Sequence, residues 1–187
     1  MKNCFVKMST SEFAVRFRLE LFPEIAVCVA LFKDVKNVDE IKNSIVARKL
    51  DAALLTPKMI VNPFQVLIAV NKALHVRKHG LRMHTRNINS EVLFNLSPMK
   101  NISACFQQFG FSKEDTGLLA VTVDDDSMDK MKAVEGVVDG SMASVDELSS
   151  FTDESLIKQV YKIHEEELCV CSVLDAVVSR MAGKEVL

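Results

Sequence analysis

The stretch "VNPFQVLIAVNKALHVRKHG", residues 61 to 80, admits few conformations. Asn62 is a residue type that caps helix starts, Pro63 suits the first helical position because no amide hydrogen is left unpaired there, and Gly80 suits a left-handed exit. The spacing predicts a helix over about 63–79. At about 100° per residue, Val66, Leu67, Ala69, Val70, Ala73, Leu74 and Val76 share a broad core face. Gln65, Asn71, Lys72, His75, Lys78 and His79 fall on the opposite face, with Phe64 and Ile68 among them. Apolar groups set among cations are a surface on which an unpaired base can stack, although single exposed apolar residues are also common.

A helix with so wide an apolar face needs another layer to cover it. "FAVRFRLELF" alternates at period two, with Arg16, Arg18 and Glu20 on one side and Val15, Phe17 and Leu19 on the other. Pro23 and Glu24 are expected to turn the chain into "IAVCVALF", an apolar run of strand length, giving an antiparallel pair over 13–33. "NVDEIKNSIVARKL" reads as a helix with Asn37 as its cap. "SEVLFNLS" and "NISACFQQFG" read as two short helices separated by Pro98, and "LLAVTV" at 118–123 as a buried strand. Residues 124–150 are acidic and rich in Ser and Gly, and are expected to form a short helix in long exposed loops. Thr152 is the expected cap of the next helix, and a last helix is expected over about 165–182, with Cys171, Leu174, Val177, Val178 and Met181 as its seam. The expected fold is therefore α+β: a single domain over 13–187 in which a small mixed β-sheet is packed with several α-helices, preceded by a flexible extension over 1–12.

Charge is unevenly placed. Up to Lys113 there are 17 basic and 8 acidic residues, giving +9, and from Glu114 onward 6 basic and 17 acidic, giving -11. The asymmetry suits phosphate on one face and protein on another. The segment "ALHVRKHGLRMHTRN" at 73–87 holds four Lys or Arg and three of the four histidines, and no acid lies between Asp51 and Glu91. By itself this strip fits either a nucleic-acid surface or a solvated helix face.

No apolar run approaches the roughly 20 residues of a membrane span, and "MKNCFVKMSTSEF" lacks a signal core, so the chain reads as soluble and intracellular. Five cysteines without framework spacing fit a reducing compartment. Phosphate-loop, nucleophile-elbow and H-E-x-x-H signatures are all missing, and "HEEEL" at 164–168 lacks a second histidine. Cys169 and Cys171 form a lone C-x-C, read as core cysteine rather than metal ligand. His75 and His79 have i, i+4 spacing, but Arg77, Lys78 and Arg82 beside them would repel a divalent ion. No cofactor and no metal are expected.

"LFKDVKN" (31–37), "VNPFQVLIAVNKALH" (61–75), "FNLSP" (94–98) with "NIS" (101–103), "FGFS" (109–112) and "VLDAVVSRMAGKEVL" (173–187) resemble the PRPK-binding protein family, the kinase-binding subunits of the KEOPS, or EKC, complex. The similarity runs from about Phe13 onward. Residues 1–12 and 124–150 depart from it, and no function is carried onto them. The resemblance implies a non-catalytic subunit of the complex that makes threonylcarbamoyladenosine (t6A) in tRNA, acting in cytoplasm and nucleus. It implies as partners the small atypical kinase that acts as an ATPase (PRPK/Bud-type), other subunits indirectly, and tRNA, whose single-stranded CCA end archaeal relatives grip.

On that resemblance Lys72, Arg82 and Arg86 are expected at phosphates and Phe64, Ile68 or His75 against bases. The kinase is expected at the C-terminal helix and tail, through Val178, Met181, Val186 and Leu187, with Leu174 and Val177 packed on the chain's own core. Residues 181–187 are then expected to be dispensable for folding. Two other readings stay open: a pure protein adaptor without RNA contact, and a small-molecule enzyme without a recognised motif.

Overall fold

The structure is a computed structural model that describes residues 5–9, 13–124 and 127–185. The chain forms two compact units, Met1–Thr56 with Phe111–Glu147, and Pro57–Gly110 with Leu148–Leu187. The strands are β1 (Phe5–Ser9), β2 (Ala14–Leu19), β3 (Phe22–Lys33), β4 (Ala53–Leu55), β5 (Gly117–Asp124) and β6 (Ser141–Ala143). The helices are α1 (Val38–Val46), α2 (Pro63–Lys78), α3 (Ile88–Leu96), α4 (Ile102–Phe109), α5 (Asp129–Glu135), α6 (Glu154–Tyr161) and α7 (Val173–Gly183). The expected α+β class holds. None of these helices is long and apolar enough to cross a membrane.

The first unit carries the sheet, ordered β1-β2-β3-β5-β4, with β6 also paired to β3. Every pairing among the described residues is antiparallel, which corrects the expected mixed sheet. A parallel neighbour would need a crossover connection, and β2 instead reverses directly into β3. That reversal lies at Glu20 and Leu21 rather than at Pro23 and Glu24, which fall inside β3. Residues 5–9, read from sequence as part of an extension, form β1 against β2.

One face of this sheet packs Ala14, Cys28, Ala30, Phe32, Leu118 and Ala120 against Ile41 of α1 and Met131 and Val134 of α5. Ala14, Ala30 and Ala120 share one cross-strand row, and Arg16, Cys28 and Thr122 share another. Arg16 is thus buried, the reverse of its expected outward side, while Val15 and Phe17 are half-buried. Alternation does not mark the inner face here, because Val27, Val29, Leu31, Leu119 and Val121, of opposite parity, are buried too.

Beyond Ala30, β3 outruns β2, and β6 takes the open edge at Leu31, Phe32 and Lys33. Just before β6, a Cβ on Gly140 would lie 2.8 Å from the Lys33 carbonyl oxygen, so only glycine lets the strands meet there. Asn37 stands at the N-cap position of α1, as expected, but its side chain makes no cap bond. Its side-chain amide donates to the Val137 carbonyl at 2.7 Å and its oxygen accepts from the Asp139 N–H at 2.9 Å, tying residues 137–139 to the start of α1. Residues 127–150 thus hold the expected short helix, α5, with Met131 and Val134 in the core, and the expected exposed loops also include an edge strand and a 3-10 turn at Val145–Ser150.

The second unit is helical. Asn62 caps α2 by accepting from the Phe64 N–H at 2.9 Å, Pro63 opens the helix, and Gly80 exits at φ +64°. Gln65, expected on the polar face, is fully buried. Its oxygen accepts from the Val61 N–H at 3.0 Å, and its amide donates to the Met59 carbonyl at 3.2 Å and the Tyr161 hydroxyl at 3.1 Å. Tyr161 in turn donates to the Leu96 carbonyl and sets its ring edge-on to Phe109. Two residues thereby join α2, α3, α4, α6 and the turn before α2. Asp153, rather than Thr152, caps α6, and Thr152 instead donates to the Ile60 carbonyl at 2.7 Å.

The last helix begins later than its spacing suggests. Ser172 and Asp175 form a capping box at the start of α7, preceded by a 3-10 turn at Glu167–Cys169. Arg180 returns to that turn with two 2.7 Å bonds to the Glu167 carboxylate. At the far end Lys184 is buried, donates to the Phe94 carbonyl, and places its ammonium 3.2 Å from the Phe94 ring centroid.

Tyr161→Phe is expected to strand the Leu96 carbonyl and one Gln65 N–H and to destabilise the protein by about 1–3 kcal/mol. A denaturant midpoint equal to that of wild type would show that this network adds nothing to stability. Lys184 supplies a second expectation. Burial pushes its ammonium down to about 8, against the attraction of the ring face for its charge. Because the unfolded chain binds that proton more tightly, Lys184 contributes a rise in stability with pH from about 8 toward its ordinary value of 10.5. Lys184→Met should flatten the stability profile over that interval; superimposable profiles would refute the assignment.

Candidate functional site

Helix α2 is fastened on its inner side by seven buried residues, including Gln65, and this sets the direction of its outer face. Phe64 and Ile68, one turn apart, are half-buried. Ile68, Ala69, Asn71, Lys72 and His75 line a groove of about 270 Å³ with Asn95 of α3 and Met181 and Ala182 of α7. Asn95, buried, donates to the Ala69 carbonyl at 3.2 Å and holds α3 against the groove wall. Lys72 places its ammonium 3.5 Å from the Met181 carbonyl and 3.3 Å from a Glu185 carboxylate oxygen. His75 is exposed, its ring centroid 4.3 Å from that of His79.

Three of the residues expected to face tRNA, Ile68, Lys72 and His75, thus share one groove. Phe64 lies a turn earlier on α2, and Arg82 and Arg86 are exposed on the connector between α2 and α3. That connector is pinned from beneath by Glu91, in the first turn of α3. The Glu91 carboxylate accepts from the Thr85 N–H at 2.8 Å, the Thr85 hydroxyl at 2.7 Å, the His84 N–H at 3.2 Å and His84 Nδ1 at 3.2 Å. Burial, the largest single influence on Glu91, pushes its pKa up, but the combined bonds from Thr85 and His84 outweigh it and hold the carboxyl below its ordinary range. The His84 ring stacks on Phe94 with centroids 4.5 Å apart, and its Nε2 lies 3.9 Å from Glu185.

The basic strip is therefore free of acid along the chain but not in space. Glu91 underlies it and Glu185 borders it. No sequence signal marked Glu91, Asn95, Gln65 or Lys184 as parts of this site; each is a polar residue whose burial follows from a distant partner.

The kinase candidates divide differently. Met181, expected to be available to a partner, is 1% exposed and packs in its own unit, so residues 181–187 include part of the core together with Lys184. Val178 is half-buried, as is Leu174, while Val177 is fully buried. Starting α7 at Ser172 fixes this outcome, because it sets which positions of the seam point inward. Val186 and Leu187 lie outside the described residues. Cys171, expected on the seam, precedes the helix and is half-buried, and Cys169 is exposed.

The Danio rerio protein named EKC/KEOPS complex subunit TPRKB is 44% identical, over 90% of this chain and 96% of its own length. The Schizosaccharomyces pombe protein named EKC/KEOPS complex subunit cgi121 is 29% identical over 87% of this chain and 97% of its own. An Aspergillus fumigatus protein of the same name is 31% identical over 74% and 77%. Residues 32–185, which include the groove, the connector and α7, match the family described as Kinase binding protein CGI-121, and the chain belongs to that family.

Proposed function

We propose that this chain is a non-catalytic subunit of an EKC/KEOPS-type complex, working in cytoplasm and nucleus, that docks on and activates the atypical kinase/ATPase subunit and helps recruit tRNA for t6A formation. Family membership and the names of the relatives support the kinase-complex part. The tRNA part rests on one observation: Ile68, Lys72 and His75 line a groove with two amide side chains, Asn71 and Asn95, beside a connector carrying Arg82 and Arg86. An apolar floor with amides and a cation suits an unpaired base and its phosphate, as the CCA end of tRNA would offer. A pure adaptor without RNA contact is the second reading, favoured by the engagement of Lys72 with Glu185 and the Met181 carbonyl.

Kinase docking is assigned to α7 and the tail, through Val178 with Val186 and Leu187, while Met181 is a buried residue of α7. Val178→Asp combined with removal of residues 186 and 187 should abolish co-elution with the kinase subunit and leave the melting profile unchanged, since few anchors carry most of an interface. Met181→Ala should instead destabilise the fold by about 2–5 kcal/mol. Undiminished kinase binding by the first variant would place the interface elsewhere.

For tRNA, Lys72→Ala, Arg82→Ala and Arg86→Ala together should flatten the dependence of log affinity on log salt by about 2, since each single-strand phosphate left unneutralised lowers that slope by roughly 0.7. Ile68→Ala should weaken binding with little change in slope, because stacking releases few counterions. Trimming the CCA end should remove the Ile68 effect. A triple variant with unchanged affinity and slope would hand the function to the adaptor reading.

A further inference from the structure

We infer that Glu91 is a positioning residue for tRNA recognition, holding the 81–87 connector so that Arg82 and Arg86 meet the phosphate backbone in a preset arrangement. The inference rests on the tRNA reading above and assigns a role to an acid that charge alone would disfavour at an anion-binding face.

Glu91 is 1% exposed, and an ionised carboxylate buried to that degree is tolerated only with a full set of donors. All four of its donors come from two consecutive residues, His84 and Thr85. The carboxylate is thus committed to one short backbone segment, and two of its bonds are to main-chain N–H groups whose direction it dictates. Arg82 precedes this pinned pair by two residues and Arg86 follows it directly. The segment is also closed at its ends. Leu81 donates its N–H to the Val76 carbonyl at 3.0 Å, and Asn87 caps α3 by accepting from the Ser90 N–H at 2.8 Å. The His84 ring is clamped on Phe94. A connector held at so many points places both guanidinium stems before any ligand arrives, and preorganisation lowers the ordering cost of binding.

The test turns on a difference in sign. Glu91→Gln removes a negative charge beneath a cationic strip, so electrostatics alone predicts tighter tRNA binding. Positioning predicts the opposite, because a neutral amide keeps the size of the side chain but turns one acceptor into a donor facing two of the four donors. The full-length variant should show faster hydrogen exchange at the His84 and Thr85 amides. It should bind tRNA roughly fivefold to a hundredfold more weakly, the cost of ordering two long side chains on binding. Kinase co-elution should be retained, and in a background already carrying Arg82→Ala and Arg86→Ala the same substitution should have no effect on tRNA affinity. Thr85→Val, which deletes only the hydroxyl donor, should give a smaller loss in the same direction and serves as the second variant should Glu91→Gln fold poorly. Unchanged or tighter tRNA binding by these variants, with wild-type binding intact, would overturn the positioning role alone. Wild-type protein showing no salt-dependent tRNA binding would overturn the tRNA reading and this inference with it. An equal loss in the arginine-less background would reassign Glu91 to general stability.

Discussion

The helical unit depends on the burial of the Gln65 amide. A primary amide without partners in an apolar interior costs several kcal/mol by transfer estimates, so the elements supplying its partners are confined to one arrangement. Val61 and Met59 fix the entry to α2, and the Tyr161 hydroxyl ties α6 to the end of α3 through the Leu96 carbonyl. With that side of α2 immobilised, its opposite side faces a consistent direction, and the groove between α2 and α7 follows. Polar satisfaction here does what apolar packing does less well, since Leu and Val tolerate sliding and a hydrogen-bonded amide does not.

Local chemistry was legible wherever its partner lies within a few residues. The ends of α2 could be read from Asn62, Pro63 and Gly80 because cap, first position and exit are decided inside one turn. The strands at 14–19, 22–33 and 117–124 could be read because apolar runs of that length between turn residues have few other uses. Features decided by a remote partner could not be read. Arg16 looks outward by alternation yet lies in a row with Cys28 and Thr122, and Asn37 looks like a cap yet serves residues 137–139, a hundred positions on. The start of α7 was misplaced because helical spacing continues upstream through Cys171, while the Ser172 and Asp175 box terminates it.

The candidate site was legible in part for the same reason. Lys72, His75 and Ile68 share one side of one helix, and helical periodicity alone brings them together. Met181 joins the same groove from α7, although sequence reasoning assigned it to a different partner. A helix shared between the wall of one candidate surface and the residues of another makes the two surfaces neighbours within a single unit of the fold. The acids that temper the strip, Glu91 and Glu185, were invisible because a charge count along the chain ignores which residues fold back onto it.

The edge of β3 has a separate consequence for how sequence variation would be felt. Strand β6 is only three residues long, yet it covers Leu31, Phe32 and Lys33 where β2 has ended, and its approach depends on Gly140 having no side chain. A substitution at Gly140 would touch no residue assigned to kinase or tRNA. It would uncover unpaired backbone beside buried apolar side chains, the template on which strands of other molecules add. Its harm would appear as aggregation and lowered cellular abundance, a loss of quantity rather than of binding.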